Sequence, residues 1–263
     1  MGNTVKVDIE AHVANVTLSR PEKMNAVSLE MFSQLGEIGD SIAADRSVRA
    51  VVLSGAGDCF CAGIDTAIFA NDGLALDASA MAPQASSPAN LFQRAAYVWR
   101  EVPVPVICAI QGVAFGAGLQ IALGADIRYA TPAARFSIME AKWGLIQDMA
   151  ISVTARGVVP MDRIKELAYT AKVVAAVEAL EMGLITAIHD DPLAAAQKTA
   201  HDIASRSPTA VRSMKQLFGK TTSATDSEAL ALEARLQLAL LGGEHQREAV
   251  LAGMEKRTPN FSD

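Results

Sequence analysis

The chain has 263 residues, 51% of them hydrophobic and 20% charged, with a net charge of −6. Such a composition builds a large buried core and excludes a disordered chain. The acidic balance, with no run of Lys or Arg, argues against nucleic acid or an anionic membrane as the main partner, and no apolar stretch approaches the ~20 residues of a membrane span. The stretch Met1 to Lys6 lacks the apolar core of a signal peptide, and Cys59, Cys61 and Cys108 fit small buried hydrophobes in a reducing compartment, so a cytoplasmic location is expected. Cys59-x-Cys61 has no histidine nearby. His12, His189, His201 and His245 share no ligand or triad spacing, so no metal site is expected.

In chain order, Val5–Ile9 and Val13–Leu18 alternate apolar and polar residues, as the two strands of a hairpin do. Pro21 breaks the chain into a loop. Ser28 is placed to cap a helix in which Leu29, Phe32, Leu35, Ile38 and Ile42 recur at helical spacing. Arg49–Ser54 reads as a buried strand, and Phe60–Asp65 as a strand running into a turn of small residues. Residues 70–90, rich in Ala, Ser, Pro, Asp and Gly, read as a mobile loop. Leu91–Trp99 is helical, and Pro103 and Pro105 return the chain to a strand at Val106–Ile110. A second small-residue turn, Gly116-Ala117-Gly118, leads into Leu119–Leu123, and Asp126–Ala130 reads as the next strand, with Asp126 and Arg128 as a structural ion pair. Helices are expected at Ile151–Val159, Arg163–Tyr169, Ala175–Met182, Leu193–Ser205, Thr209–Phe218, Ser227–Leu241 and His245–Met254, with a short strand at Thr186–His189. A boundary near residue 200 divides a core (1–200) from a helical region (201–263), whose leucines (Leu230, Leu232, Leu236, Leu238, Leu240, Leu241) exceed what two helices can hide, so a partner subunit is expected.

The chemistry suggested by this order is acid–base. A strand feeding a glycine-rich turn into a helix start presents unpaired backbone N–H groups, and only Gly and Ala let the backbone come that close to a ligand. Such a turn can cradle a phosphate or hold a carbonyl oxygen that becomes negative during reaction. Two carboxylates follow it, Glu140 and, eight residues on, Asp148. No Gly-x-Gly-x-x-Gly stands after the first strand, so the loosely recurring hairpin–helix–strand unit points to repeats wound into one core, not to a dinucleotide fold.

Four segments in order, Arg20–Ala26 (RPEKMNA), Phe60–Asp65 (FCAGID), Gln111–Gly118 (QGVAFGAG) and Ala125–Ala130 (ADIRYA), make the chain resemble the enoyl-CoA hydratase/isomerase (crotonase) superfamily over nearly its whole length. The resemblance implies an α/β fold, a spiral of ββα repeats with a C-terminal helical trimerisation region, and acyl-CoA thioester substrates of the kind met in fatty-acid β-oxidation. It implies no cofactor beyond the coenzyme A that is part of the substrate, and assembly into a homotrimer or a dimer of trimers. Backbone N–H groups of Ala62 and Ala117 would form the oxyanion hole. Lys23, Ala26, Gly63, Ile64, Asp65, Gln120 and Trp143 would bind substrate. Family hydratases use two glutamates. The second falls on Glu140, but the first falls on Gln120, an amide that cannot act as a general base. Asp148 matches an extra acid of the dienoyl-CoA isomerase branch.

These residues admit bland readings too. Glu140 could be an exposed loop carboxylate and Asp148 the cap of the helix near Ile151. Gln120 reads equally as a structural hydrogen bonder or a substrate-facing group, and Lys23 as a phosphate contact or a solvated lysine. Met139, Trp143 and Met149 could line an acyl tunnel or belong to ordinary core. Double-bond isomerisation fits the acid pattern better than the rivals, a 2-enoyl-CoA hydratase and a non-catalytic acyl-CoA-binding homologue.

Overall fold

In the computed structural model, which describes residues 4–70, 78–84 and 87–263, β1 (Val5–Glu10) and β2 (Val13–Leu18) pair as the expected antiparallel hairpin. Helix α1 (Leu29–Ala44) starts where Ser28 accepts a hydrogen bond from the Met31 N–H, so the cap reading holds. After β3 (Ala50–Gly55) come a single turn, α2 (Ala67–Ala70), and α3 (Leu91–Glu101), which Asn90 and Gln93 start as a reciprocal capping box. The loop expected over 70–90 lies partly outside the described residues; within it Ala78–Met81 forms a 3₁₀ turn. Strands β4 (Val106–Ile110) and β5 (Val113–Phe115) precede α4 (Ala117–Gly124), and β6 (Ile127–Ala130) and β7 (Arg135–Ser137) follow it. Then come α5 (Ile151–Thr154), α6 (Met161–Thr170), β8 (Val174–Ala175), α7 (Ala176–Glu181) and β9 (Ala187–Ile188). The chain ends in α8 (Pro192–Ala204), α9 (Pro208–Thr221), α10 (Asp226–Leu240) and α11 (Glu244–Glu255).

Six strands form one sheet in the order β1-β2-β3-β4-β6-β9, parallel from β2 onward, and β5-β7-β8 form a second. From β4 to β7 consecutive strands alternate between the two sheets, so the chain winds from one to the other and back. Both faces of the large sheet are covered, so its central strands are continuously apolar. Val51, Leu53 and Cys108 face a core shared with Phe32, Trp99 and Leu119 from α1, α3 and α4. Burying a Leu or Phe side chain of this kind is worth about 1.5–3 kcal/mol. Ala50, Val52, Ile107 and Ala109 face α8, whose Ala196, Ala200 and Ala204 form a flat surface. α8 therefore runs across residue 200 while packed on the sheet, and α9 to α11 follow it.

Three local expectations are corrected. Phe60–Asp65 is not a strand: Cys61 makes one bridge to Ala114 and Ile64 one to Val27, because Gly63 at φ 111° turns the chain between them. The helix expected over Ile151–Val159 is a single turn, cut off where Gly157 takes φ 71° ahead of Pro160. Asp126 and Arg128 do not bond to each other. The Asp126 carboxylate accepts from the Val106 N–H and from Lys215 Nζ on α9, each at 2.8 Å, whereas the Arg128 guanidinium donates to the carbonyls of Leu184 and Ala125. Asp126 lies before β6 begins, so the two-residue spacing that puts side chains on one face of a strand does not bring it to Arg128.

Candidate active site

Two small-residue turns meet because nothing but backbone separates them. A Cβ on Gly118 would lie 2.5 Å from the Cys61 carbonyl oxygen, so only glycine lets the start of α4 settle against the segment carrying Ala62. Gly116, at φ 47°, turns β5 into α4, and its N–H donates to the Ser137 carbonyl at 2.9 Å, which fastens the turn to β7. The first N–H used inside α4 is that of Gln120, bonded to Gly116 O. The Ala117 N–H, at the first position of α4, has no partner inside the helix, and the residue lines the cavity with the positive end of the helix behind it.

That cavity has a volume of about 400 Å³. Its floor is Ala62, Gly63, Ile64, Gly116 and Ala117, and its walls include Phe32, Phe92, Met139, Glu140, Asp148 and Met149. Phe32 and Phe92 meet edge to face, with centroids 5.1 Å apart. Trp143, Leu145 and Ile146 form an exposed apolar rim. Met139, Trp143 and Met149 thus line the cavity as one of their two readings held. A larger cavity of about 730 Å³ lies under α9, beside Lys215. It holds neither acid, and Lys215 already donates to Trp99 O, Val104 O and Asp126. Among the described residues no group of three His, Cys, Asp or Glu is placed to hold a metal ion.

Glu140 opens a 3₁₀ turn (Glu140–Trp143) that Gly144, at φ 70°, reverses, so the chain folds back and brings Asp148 to the same cavity. Glu140 is half-buried, not a loop carboxylate in open solvent. Its Oε1 accepts from Gln120 Nε2 at 2.6 Å, and its Oε2 is buried with no hydrogen-bond partner among the described residues. Burial raises its pKa, and the nearby Asp148 carboxylate adds to the rise, while the bond from Gln120 opposes it. Asp148 also has a raised pKa, caused by the protein atoms of the cavity wall around it. Water still reaches its side chain through the open mouth, so this shift is the more easily screened of the two. The capping role is overturned: Ala150 is the cap residue of α5, no side chain bonds there, and a helix of one turn gives little dipole to hold Asp148 charged.

The other expected site residues divide. Ala62, Gly63, Ile64, Ala117 and Trp143 line the cavity, but Lys23, Ala26, Asp65 and Gln120 do not. Gln120 is 1% exposed and sits behind Glu140, so it is the structural hydrogen bonder and not a substrate-facing group. Both Asp65 oxygens are engaged, by Arg20 at 2.9 Å and by the Ala67 N–H at 3.1 Å, and the Arg20 bond holds its carboxyl below the usual range. Arg20 also donates to Ala26 O. Lys23 is exposed, close enough to Asp65 to lower its pKa further. The Ala62 N–H donates to Met24 O at 3.0 Å, so in this structure one of the two expected oxyanion donors is held by the Arg20–Ala26 loop. Phe32 and Phe92 were legible only as the apolar faces of helices, and nothing in their spacing distinguishes a cavity wall from core.

A sequence profile described as Enoyl-CoA hydratase/isomerase matches residues 8–263. The chain belongs to this family. An enoyl-CoA hydratase of Mycobacterium tuberculosis, EchA19, is 30% identical, covering 100% of this chain and 97% of its own. The mitochondrial Delta(3,5)-Delta(2,4)-dienoyl-CoA isomerase of Mus musculus is 34% identical over 94% of this chain and 78% of its own. The crystal structure of an enoyl-CoA hydratase from Bacillus anthracis superimposes with a TM-score of 0.90, at 28% identity, covering 98% of this chain and 99% of that one. The chain is thus an α/β protein of the crotonase fold and a member of a family of acyl-CoA enzymes whose named relatives include both hydratases and isomerases.

Two outcomes are expected at the bench. Ala117 is the first residue of α4, where proline is compatible with the helix, so Ala117→Pro removes one N–H donor without unfolding the turn. Turnover should fall by about 10²–10³-fold with the circular dichroism unchanged, and a folded variant of near-normal rate contradicts the donor role. Glu140 binds its proton more tightly in the folded state than in the unfolded one, so its contribution to stability is present below the ordinary carboxylate pKa and lost as pH rises through the raised value. Glu140→Gln should therefore melt higher than the parent at neutral pH, with the gap closing in acid, while activity drops by about 10²–10⁴-fold. Parallel melting curves at both pH values would sink this account of Glu140.

Proposed function

We propose that this family member shifts double bonds along an acyl-CoA thioester, converting a 3,5-dienoyl to a 2,4-dienoyl chain. The observation that carries the reading is that Glu140 and Asp148 share one apolar cavity with the Ala117 turn, while position 120 holds an amide shut away behind Glu140. The thioester oxygen binds at the turns, with the Ala117 N–H as one donor and the Ala62 N–H as the other once Met24 O shares or yields it. Glu140, beside Gly116 and hence at the thioester end, takes a proton from C2. The electron pair spreads over the oxygen, C2, C4 and C6 of the dienolate. Asp148, farther round the wall, gives a proton to C6, leaving double bonds at C2 and C4. One proton leaves and one returns, so no water is consumed. Raised pKa values suit both steps, because a base and an acid working near neutrality need carboxyl groups poised nearer that pH than free ones.

Hydration of a 2-enoyl chain needs a second group to activate water, and an amide has no proton-accepting site of that strength. The mouse relative named for dienoyl-CoA isomerisation supports the same choice. Lys23, exposed near Asp65, is assigned to the coenzyme A phosphates, and Ala26, Gly63 and Ile64 to substrate binding. Phe218, Leu230, Leu238, Leu241 and Met254 are exposed by 58% or more on α9 to α11 and support assembly into a trimer or two stacked trimers through residues 201–263.

The reaction is tested by following the absorbance and products of 2-enoyl-, 3-enoyl- and 3,5-dienoyl-CoA. Asp148→Asn should lose dienoyl isomerisation by at least about 10²-fold and leave any activity on 2-enoyl-CoA near the parent's. Equal rates for parent and variant on every substrate remove the isomerase reading. Sedimentation velocity should give a mass that is a multiple of three subunits, and a stable monomer at micromolar concentration contradicts the trimer.

A further inference from the structure

The environment of Gln120 fixes more than its own place. Its Oε1 accepts from the Met149 N–H at 3.0 Å, and a backbone N–H can only donate, so the oxygen of the amide must face Met149. The NH₂ group is thereby turned to Glu140, 2.6 Å away. Glu140 Oε1 is then an acceptor and carries no proton in this arrangement. Oε2 is left, buried and without a partner among the described residues, on a side chain that lines the cavity. Gln120 itself is 1% exposed and does not line that cavity. The same amide ties down the loop bearing the second acid. Asp148 precedes Met149, and Ala150 after it holds a left-handed backbone at φ 66°, a conformation that persists only where the surroundings enforce it.

We infer that Gln120 is a positioning residue that reserves Glu140 Oε2 as the proton-carrying oxygen and locks Glu140 and the Asp148 loop into one register. It touches no reacting atom. Its side chain carries no charge, so it adds no second titration in direct contact with Glu140. A second carboxylate at position 120, 2.6 Å away, would share one proton with Glu140 and the two would titrate as a pair. The inference takes from the proposed function only that Glu140 moves protons.

The test compares the parent with Gln120→Leu, which keeps the volume and removes both hydrogen bonds, and with Gln120→Glu. Glu140 is titrated in the ligand-free protein by infrared difference spectroscopy of the carboxyl band, with Glu140→Gln as the subtraction reference. Because the Gln120 bond lowers the Glu140 pKa, Gln120→Leu should move that titration to higher pH. The acid limb of kcat/KM should move the same way. kcat should fall about 10²-fold as geometry loosens, with KM nearly unchanged. Gln120→Glu should titrate in two steps and recover part of the lost rate where the pair holds one proton. A folded Gln120→Leu protein with the parent's titration and pH profile overturns the inference, as does a rise in KM at constant kcat. Should the leucine variant not fold, Gln120→Ala is read in the same way. The titration needs no substrate: a protein inactive on dienoyl-CoA whose Glu140 titration still moves keeps the positioning role and loses the proposed reaction. An active one whose titration stays put does the reverse.

Discussion

The contact on which the site depends is the approach of Gly118 to the Cys61 carbonyl. A methyl group on Gly118 would lie 2.5 Å from that oxygen, and with it the alignment of α4 against the Ala62 segment would go. Cys61 bonds to both Val113 and Phe115 beside β5, through its N–H and its carbonyl, and that single bridge is enough to place Ala62 level with Ala117. The winding of the chain between two sheets brings these segments side by side, and the missing side chains let them touch.

An apolar cavity with two carboxylates is an expensive place for charge, and that expense is useful. Desolvation raises both pKa values, against which the structure sets one strong hydrogen bond, from Gln120 to Glu140. One neutral donor eases the charge on Oε1 without quenching it, whereas an arginine there would hold the carboxylate ionised and weaken it as a base. The chain does use arginine in that way elsewhere: Arg20 pins Asp65, lowers its pKa and takes it out of proton chemistry. Two acids of similar type thus end in opposite states because one faces an amide and the other a guanidinium.

Much of the fold was legible because its signals are local. The β1–β2 hairpin, the Ser28 cap, the β3 and β4 strands and the helices from α6 to α11 each follow from periodicity, a cap or a breaker within a few residues. That the two acids and the two small-residue turns share one cavity was legible through motif order. What sequence did not reveal rests on contacts between distant residues. Gln120 meets Met149 across 29 positions, and Asp126 meets Lys215 across 89. Asp65 was read as a substrate contact because its motif position is visible and its ion pair with Arg20, 45 residues away, is not. The short α5 is a different failure: apolar spacing suggested a longer helix, and the backbone choice of Gly157 overrode it.

The Met24–Ala62 bond holds one side of the cavity in place. A buried N–H left unpaired costs about 1–3 kcal/mol, so the Ala62 N–H beside the cavity needs an acceptor. Met24 supplies it from a loop held in left-handed backbone at Met24 and Asn25, φ 51° and 53°. Asn25 makes that loop rigid: it is fully buried, its side-chain NH₂ donates to Ala56 O and Cys59 O, and its oxygen accepts from the Arg20 N–H. Under the proposed reaction, substrate binding exchanges one acceptor for another at Ala62, and the net gain is small in the ground state. The gain grows when the incoming oxygen becomes negative, because a charged acceptor outbids the Met24 carbonyl. A donor that is nearly neutral toward the thioester and strong toward the enolate favours the transition state over the substrate, which is the condition for raising rate and not merely affinity.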